Sequence, residues 1–198
     1  MNDHGIGWEM AKLKPAFHPL VGGSEASICF LHRFCSLSLY ADGMIVAMGG
    51  FGGMAIAVKA GGTGDVTETN RLWHHPKTKQ RIGSGAIHDG HIYILNDPGV
   101  AECYELKTGK LIWEERLVGP GPDNSSWSSM VLADGRLCAI NHSGDTFVLK
   151  ASPKFELLAT NPLGEPDNAS LSISDGDIFI RTHKALWCIA EGGRPQTK

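Results

Sequence analysis

Histidines are the side chains of this 198-residue sequence that could most readily hold a metal ion, and there are nine of them. His74 and His75 are adjacent, and His88 and His91 flank an Asp-Gly pair. Neighbouring residues of a strand point to opposite faces, so His74 and His75 cannot easily coordinate one ion together. We therefore expect solvated loop histidines and predict no metal site.

The five cysteines could in principle form disulfides or a zinc cluster, but their pattern favours neither. Their number is odd, and no C-x-x-C spacing occurs among Cys29, Cys35, Cys103, Cys138 and Cys188. Free, packed thiols are the simpler expectation. A bridge stays open only between Cys29 and Cys35, the one pair that is close in sequence.

Two glycine-rich strings, at residues 49–55 and 60–65, would cradle a phosphate only if each led into a helix. Neither is followed by the helix of a strand-loop-helix unit, so we expect β-turns. No Ser, His and acid arrangement typical of nucleophilic catalysis is recognisable either. The sequence therefore offers no residue for a catalytic role.

The overall composition is ordinary for a globular protein and argues against several partner classes. The formal net charge is −3, and no run of Lys or Arg alternates with aromatic residues, so we expect no nucleic-acid partner. No apolar stretch approaches the roughly 18 residues of a transmembrane segment, and the first ten residues lack the basic and apolar regions of an export signal. The 25 glycines indicate many tight turns and hence a β-rich fold.

A repeat of about 45 residues predicts the elements that position these side chains. Asp-Gly pairs recur at intervals of 47, 45 and 41 residues. Each pair separates two apolar runs, which is the pattern of a β-hairpin with a tight turn. The four pairs are Asp42-Gly43, Asp89-Gly90, Asp134-Gly135 and Asp175-Gly176.

A third apolar run follows each hairpin, and in two copies a fourth run contains a tryptophan, Trp73 or Trp113. Four short antiparallel strands in about 45 residues are typical of a β-propeller blade. We therefore predict an all-β fold, a propeller of about four four-stranded blades that could be part of a larger ring. Aligning the copies makes Cys103 and Cys188 equivalent, small buried positions of the third strand. The blades span approximately residues 36–75, 81–117, 126–160 and 168–191, after an N-terminal outer strand and irregular segment at residues 1–35.

The stretch ELKTGKLIW, from Glu105 to Trp113, joins the third strand of the second copy to its fourth, and Gly109 supplies the positive φ that a tight turn needs. The repeated hairpin followed by this acid-x-Lys-Thr-Gly-Lys-x-x-Trp pattern resembles the pyrroloquinoline-quinone-like (PQQ-like) β-propeller repeat family, over about residues 36–190. That family includes quinoprotein dehydrogenases and non-enzymatic relatives such as the propeller lipoprotein of bacterial outer-membrane assembly. The resemblance implies that Trp73 and Trp113 clamp neighbouring blades.

The glycine-rich segment after the first hairpin and the ending ISDGDIFIRTHKALWCI are also similar to the carboxyl-terminal half of longer bacterial propellers. This likeness implies a ring of about seven or eight blades, of which the chain supplies a part. The family resemblance further implies an extracytoplasmic setting.

The resemblance allows two kinds of function. In the dehydrogenases the quinone is expected to lie between a tryptophan and a vicinal Cys-Cys disulfide, with a calcium ion and an aspartate base nearby. This chain has no Cys-Cys pair, and no motif assigns a carboxylate as the base. We therefore favour a non-catalytic scaffold that binds a protein or polymer ligand without a cofactor. The alternative is a fragment or subunit of a quinone-dependent alcohol or sugar dehydrogenase, which would use PQQ and calcium.

The two ends of the chain leave the closure of the ring open. Residues 5–9 resemble a fourth strand left over from a preceding blade, and the last copy is one strand short. The ends could pair within one chain, two copies could associate through blade edges, or the edges could stay open. Residues 22–35 match the repeat least. His142 and His183 follow the second strands of successive copies and hint at a shared polar surface.

Overall fold

A computed structural model describes residues 37–50, 52–79 and 81–190, which form four antiparallel sheets. Each sheet follows one copy of the sequence repeat, and its strands are neighbours in chain order. We call the sheets blades 1 to 4. Blade 1 contains β1 (Leu39–Ala41), β2 (Met44–Met48), β3 (Ala55–Lys59) and β4 (Arg71–His75). Blade 2 contains β5 (Ala86–His88), β6 (His91–Asn96), β7 (Val100–Glu105) and β8 (Leu111–Arg116). Blade 3 contains β9 (Val131–Ala133), β10 (Arg136–Ile140), β11 (Asp145–Lys150) and β12 (Leu157–Pro162). Blade 4 contains β13 (Ser172–Ser174), β14 (Asp177–Arg181) and β15 (Leu186–Ile189).

The Asp-Gly pairs form the turns between the first and second strand of every blade. Both residues of each pair have positive φ, for example 47° at Asp89 and 68° at Gly90. A two-residue turn with positive φ at both positions matches the twist of the strands that it joins, and Asp and Gly adopt that conformation most readily. The predicted all-β fold with four hairpins is confirmed.

A line of hydrogen bonds connects the residues that lie just before the first strands of successive blades. The backbone N–H of Leu37 donates to Ser84 Oγ (2.7 Å), that of Ser84 to Ser129 Oγ (2.9 Å), and that of Ser129 to Ser170 Oγ (2.9 Å). The partners are 47, 45 and 41 residues apart, which is the spacing of the repeat. Equivalent residues therefore bond in sequence from blade to blade, as expected for sheets arranged around a common axis.

The core lies between the blades, because alternate residues of each strand face the preceding and the following blade. We call the contacts between blades 1 and 2, 2 and 3, and 3 and 4 the first, second and third seams. The first seam buries Val46 and Ile92, the second Leu137 and Phe147, and the third Ile180. Each blade is thus one layer of a stack, and its stability depends on its neighbours.

Blade 4 differs from the other blades because the described residues include no fourth strand for it. All four residues of β15 are exposed, including Cys188. The prediction of a buried Cys188 is therefore wrong, although its register is equivalent to that of Cys103: Cys103 pairs with Tyr93 and Cys188 with Phe179. A further strand and a further blade cover Cys103, and among the described residues neither covers Cys188.

The structure corrects two further predictions, on the histidines and on the second glycine-rich string. His74 and His75 lie in strand β4 and not in a loop, which corrects the expectation of loop histidines. A single-turn helix, α1 (Thr67–Asn70), follows the second glycine-rich string where only turns were expected. Within the described residues no helix is long and apolar enough to cross a membrane. The predictions for residues 5–9, for residues 22–35 and for a Cys29–Cys35 bridge fall outside the described residues.

Candidate functional site

A pocket of about 500 Å³ opens into the first seam. Its floor is apolar and includes Met48, Ile92 and Ile94, which belong to the buried cluster between blades 1 and 2. Its wall includes the rings of Trp73 and Tyr104. Such a volume with a mainly apolar lining is in the range of small-molecule sites.

Strand β7 supplies the acidic side of the pocket. Glu102 and Tyr104 are two residues apart in the strand, so both face blade 1, opposite Ile94 and Ile92 of β6. Glu102 is only 2% exposed, and its Oε2 accepts a hydrogen bond from the Tyr104 hydroxyl at 2.8 Å. Burial, together with the charge of Glu102, raises the pKa of Tyr104, so this phenol stays a donor. The carboxylate thus projects into the seam where a strand of this kind normally places an apolar residue.

The linker from β4 to β5 supplies the basic side. Lys77, Lys79 and Arg81 are spaced by two residues, and all three line the pocket. The linker is tied to blade 1 because both the backbone N–H and the hydroxyl of Thr78 donate to the Gly53 carbonyl, at 2.9 and 2.6 Å. Fixing the backbone at Thr78 positions the two flanking lysines relative to β7.

Lys79 engages both carboxylates of the pocket. Its Nζ lies 2.7 Å from Glu102 Oε1 and also bonds Glu114 Oε2 on the outer strand β8. Burial lowers the pKa of Lys79, but the bonds to the two glutamates outweigh it and the net shift is upward. The hydrogen bond from Lys79 lowers the pKa of Glu114. Lys79 therefore joins the two glutamates in one hydrogen-bonded cluster.

Arg81 is the second cation of the site, and it is buried with 1% exposure. Its Nη1 donates to the Met48 sulfur at 2.7 Å, a weak acceptor, and its Nε has no partner among the described residues. Burial lowers the pKa of Arg81, although the charge of Glu102 opposes this shift. A guanidinium keeps its proton even when buried, so Arg81 presents a positive charge to the pocket.

Trp73 and Gly109, both singled out in the sequence, meet at the outer rim of the first seam. Trp73 Nε1 donates to the Leu106 carbonyl at 2.8 Å, and the neighbouring His75 Nε2 donates to the Gly109 carbonyl at 2.9 Å. Gly109 has a φ of 70°, and a Cβ there would lie 2.7 Å from the Trp73 ring. The turn of blade 2 therefore needs glycine both for its conformation and for the close approach of the indole.

Trp113 occupies the corresponding place in the second seam and does not line the pocket. Its Nε1 donates to the Ser152 carbonyl at 3.3 Å, and its ring packs edge-on against Phe155 with centroids 5.2 Å apart. The centroid of its ring also lies 6.1 Å from that of the Tyr93 ring. The structure thus places the two tryptophans in different seams, each reaching the next blade.

The Asp-Gly turns that the sequence singled out also do not line the pocket; they close the blades internally. The carbonyl of the turn glycine accepts a hydrogen bond from the residue that follows the third strand, as in Leu106 to Gly90 (2.8 Å) and Ala151 to Gly135 (2.9 Å). Ala60 and Gly43 repeat this bond in blade 1 at 2.7 Å.

The two histidines that hinted at a polar surface lie near the third seam in different environments. His142 is half-buried, with Nδ1 3.4 Å from Asp123 and its ring edge-on to Trp127, whereas His183 is exposed. Each follows a linker with the sequence Pro-Asp-Asn-x-Ser, at residues 122–126 and 166–170, which sequence reasoning had not noted. The second copy holds Asp167, whose carboxylate is buried and whose pKa is raised by that burial.

His88 and His91 pair across the hairpin turn of blade 2, and His91 Nδ1 bonds the Asp89 carbonyl at 2.6 Å. In the part of the chain that the structure describes, no three His, Cys, Asp or Glu side chains are grouped so as to hold a metal ion.

Sequence reasoning missed the polar residues of the pocket. A usable signal was present, because Glu102 lies inside the third apolar run of its copy, VAECYEL, where the register places Ile56 in blade 1 and Phe147 in blade 3. A charged residue at a position that is apolar in the other copies marks a local departure from core packing.

The fold is shared with solved propellers. BamB from Moraxella catarrhalis superposes with a TM-score of 0.64 at 11% identity, over 85% of this chain and 46% of BamB. The computationally designed Ika8 protein gives 0.58 at 12% identity, over 79% of this chain and 45% of Ika8. The designed Ika4 protein gives 0.61 at 13% identity, over 93% of this chain and 100% of Ika4.

The chain thus spans about half the length of BamB and Ika8 and the whole of Ika4. No protein-family model matches the sequence, and no curated protein matches it. At these identities the likeness shows the fold alone: four stacked antiparallel sheets with a BamB-like β-propeller fold, as a partial propeller.

Proposed function

We propose that this chain is a non-catalytic PQQ-like β-propeller scaffold that binds a ligand in the pocket of the first seam. The observation that carries the proposal is that charges replace core residues there. Glu102 stands where the second seam has Phe147, and Arg81 stands where it has Ser126. Buried charges stabilise a fold less than apolar packing of the same volume. A seam that gives up packing for a charged pocket is better explained by binding than by folding.

The polar groups of the pocket are suited to holding a ligand and not to proton transfer. The Glu102 carboxylate already accepts hydrogen bonds from Lys79 and Tyr104, so it is not available as a base. Arg81 stays protonated at ordinary pH and therefore cannot act as a base. The Arg81 guanidinium is thus a fixed hydrogen-bond donor beside the apolar floor, and it can orient a bound molecule.

Crystals of the full chain soaked with a mixed set of small fragments test this proposal. Fragments should collect in the first-seam pocket, because it combines apolar surface with a buried donor. The matched control is the triple variant Arg81→Ser, Glu102→Phe, Tyr104→Leu, which copies the residues of the second seam and should hold none there. Fragments found only at other surfaces of the wild type would overturn the proposal.

The enzyme alternative has a separate test. Adding PQQ and Ca²⁺ and measuring dye reduction with alcohols and sugars should give no turnover if the chain is a scaffold. Stoichiometric quinone and calcium together with dehydrogenase turnover would replace the scaffold proposal by the dehydrogenase one.

A second proposal concerns self-association through the edge of blade 4. Strand β15 pairs only with β14 among the described residues, and its apolar side chains are exposed, with Leu186 at 69%, Ile189 at 43% and Trp187 at 39%. An unpaired strand with apolar side chains favours addition of another strand or sheet. Light scattering should show a species larger than the monomer, and Leu186→Lys with Ile189→Lys should reduce it. A strictly monomeric wild type would contradict this proposal.

The extracytoplasmic setting rests on the family resemblance and is proposed on that basis alone. Fractionation of the cells that express the full-length gene product checks it, and a cytoplasmic protein would contradict it.

A further inference from the structure

The first-seam pocket contains one buried cation, Arg81, whose hydrogen bonding is incomplete. Glu102 and Glu114 both bond Lys79, and Glu102 also accepts from Tyr104. Arg81, at 1% exposure, has a thioether as the acceptor of its Nη1 and no partner for its Nε among the described residues. A buried donor without an acceptor is costly, so the site is incomplete until an acceptor arrives.

A carboxylate is the acceptor that fits this donor best. The planar guanidinium presents a fork of N–H groups that matches the two oxygens of a carboxylate, and the charge strengthens both hydrogen bonds. The Met48 sulfur, a weak acceptor, can be displaced from Nη1 at little cost. Glu102 already accepts hydrogen bonds from Lys79 and Tyr104, and among the described residues it does not bond the Arg81 Nε.

The remainder of the pocket selects what the carboxylate is attached to. Trp73 and Tyr104 form aromatic walls, and Ile92, Ile94 and Met48 form an apolar floor. Flat rings pack well on such walls, and about 500 Å³ holds a bicyclic molecule.

We propose that the first-seam pocket binds a small aromatic carboxylate, with the carboxylate on Arg81 and the ring between the aromatic wall and the aliphatic floor. This inference rests on the proposed binding function and deepens it by naming the chemical class of the ligand.

Three probes of the same shape and different charge test the inference on the wild-type chain: 2-naphthoate, 2-naphthamide and 2-naphthylmethylammonium. Isothermal titration calorimetry should give an affinity for the naphthoate at least about tenfold higher than for the neutral amide, as for a charge-assisted pair, and the weakest binding for the ammonium. This comparison needs no variant and therefore does not depend on how a substitution folds.

Two variants locate the effect. Arg81→Met should reduce the affinity for naphthoate to that for the amide, while Arg81→Lys, which keeps the charge without the fork, should retain part of the preference. Arg136→Met, at an exposed arginine beside the hairpin turn of blade 3, is the matched control and should change nothing.

The outcomes separate the two levels of the proposal. If the amide or the ammonium binds as tightly as the naphthoate, the ligand class is wrong and the pocket remains a binding site. If none of the three probes binds, both the ligand class and the binding function of this pocket are overturned. A naphthoate preference that persists in Arg81→Met also overturns the inference, because another group then holds the carboxylate.

Discussion

The first and second seams are built from the same positions of the repeat but differ in chemistry. In the second seam Phe147 and Leu149 of β11 are fully buried against blade 2. In the first seam the equivalent positions of β7 are Glu102 and Tyr104, and a cavity takes the place of close packing. The strand register is the same in both, so the difference in lining comes from the side chains at these positions.

This comparison shows that the repeat determines which positions face a seam but does not determine the type of residue at each position. A propeller with several equivalent seams can keep some packed for stability and use another for a site, because each seam depends mainly on its two blades. The second seam carries the larger apolar cluster, and the first carries the Lys79–Glu102 ion pair.

The largest expected loss of stability comes from placing a glutamate, as found in the first seam, at the equivalent position of the second seam. Phe147→Glu would bury a carboxylate without a cation and should lower the free energy of unfolding by about 4 kcal/mol or more. Chemical denaturation measures it. Phe147→Leu is the control and should cost much less; a stable Phe147→Glu protein would contradict the view that the second seam is a packing surface.

The two tryptophans provide the next test. Trp113→Ala removes a ring that contacts Tyr93 and Phe155 and should cost about 3–5 kcal/mol. Trp73→Ala should cost less, about 2 kcal/mol, because one side of its ring faces the pocket. Denaturation of both variants checks the difference. A loss below about 1 kcal/mol for Trp113→Ala would argue against its role as a clamp between blades.

Asp167, near the third seam, is a buried carboxylate that lacks the paired lysine of Glu102. We therefore predict that it makes the stability of the protein depend on pH. Burial raises the folded-state pKa of Asp167, and its Oδ2 has no partner among the described residues. Folding therefore favours the protonated form, and this contribution is complete below the unfolded-state pKa and is lost as pH rises through the folded-state value.

Asp167→Asn imitates the protonated form and keeps the oxygen that accepts from the Ala169 N–H. At neutral pH the variant should melt at a higher temperature than the wild type, and the difference should shrink as pH falls to about 4 and below. Thermal melts across that range measure it. A variant less stable than the wild type at pH 7 would show that the charged form is the favoured one.

The smallest expected effect concerns the hydrogen bonds between the residues that precede the first strands, one at each seam. Ser129→Ala removes the acceptor for the Ser84 N–H and should cost about 1 kcal/mol. Ser170→Ala should cost a similar amount, because Ser129 donates to it in the same way. Equilibrium unfolding of both variants compares them; a loss for one alone would show that these bonds are not equivalent.

Local chemistry made the fold predictable. Each Asp-Gly pair predicts a turn by itself, and the interval between successive pairs predicts the length of a blade. Neither inference depends on contacts between residues distant in sequence. Predictions that depended on a neighbouring sheet were less secure. Cys188 has the register of a buried residue, but its exposure follows from what lies beside β15. His75 is half-buried because Gly109 of the next blade approaches it.

The candidate site was visible in the sequence only in part. Glu102 was a detectable signal, as a charge inside an apolar run. Arg81 and Lys79 gave none, because they lie in a linker whose basic residues are ordinary in an exposed loop. Only the packing of that linker over β7 shows that the Arg81 guanidinium is buried and that Lys79 meets Glu102 and Glu114.

The central claim is that the charged residues of the first seam are kept for binding and not for stability. The free energy of unfolding of the triple variant Arg81→Ser, Glu102→Phe, Tyr104→Leu tests it most directly. Because packed apolar residues replace buried charges, the account predicts a value equal to or up to about 4 kcal/mol above that of the wild type. A value lower by more than about 2 kcal/mol would show that the charged cluster holds the two blades together, and would contradict the claim.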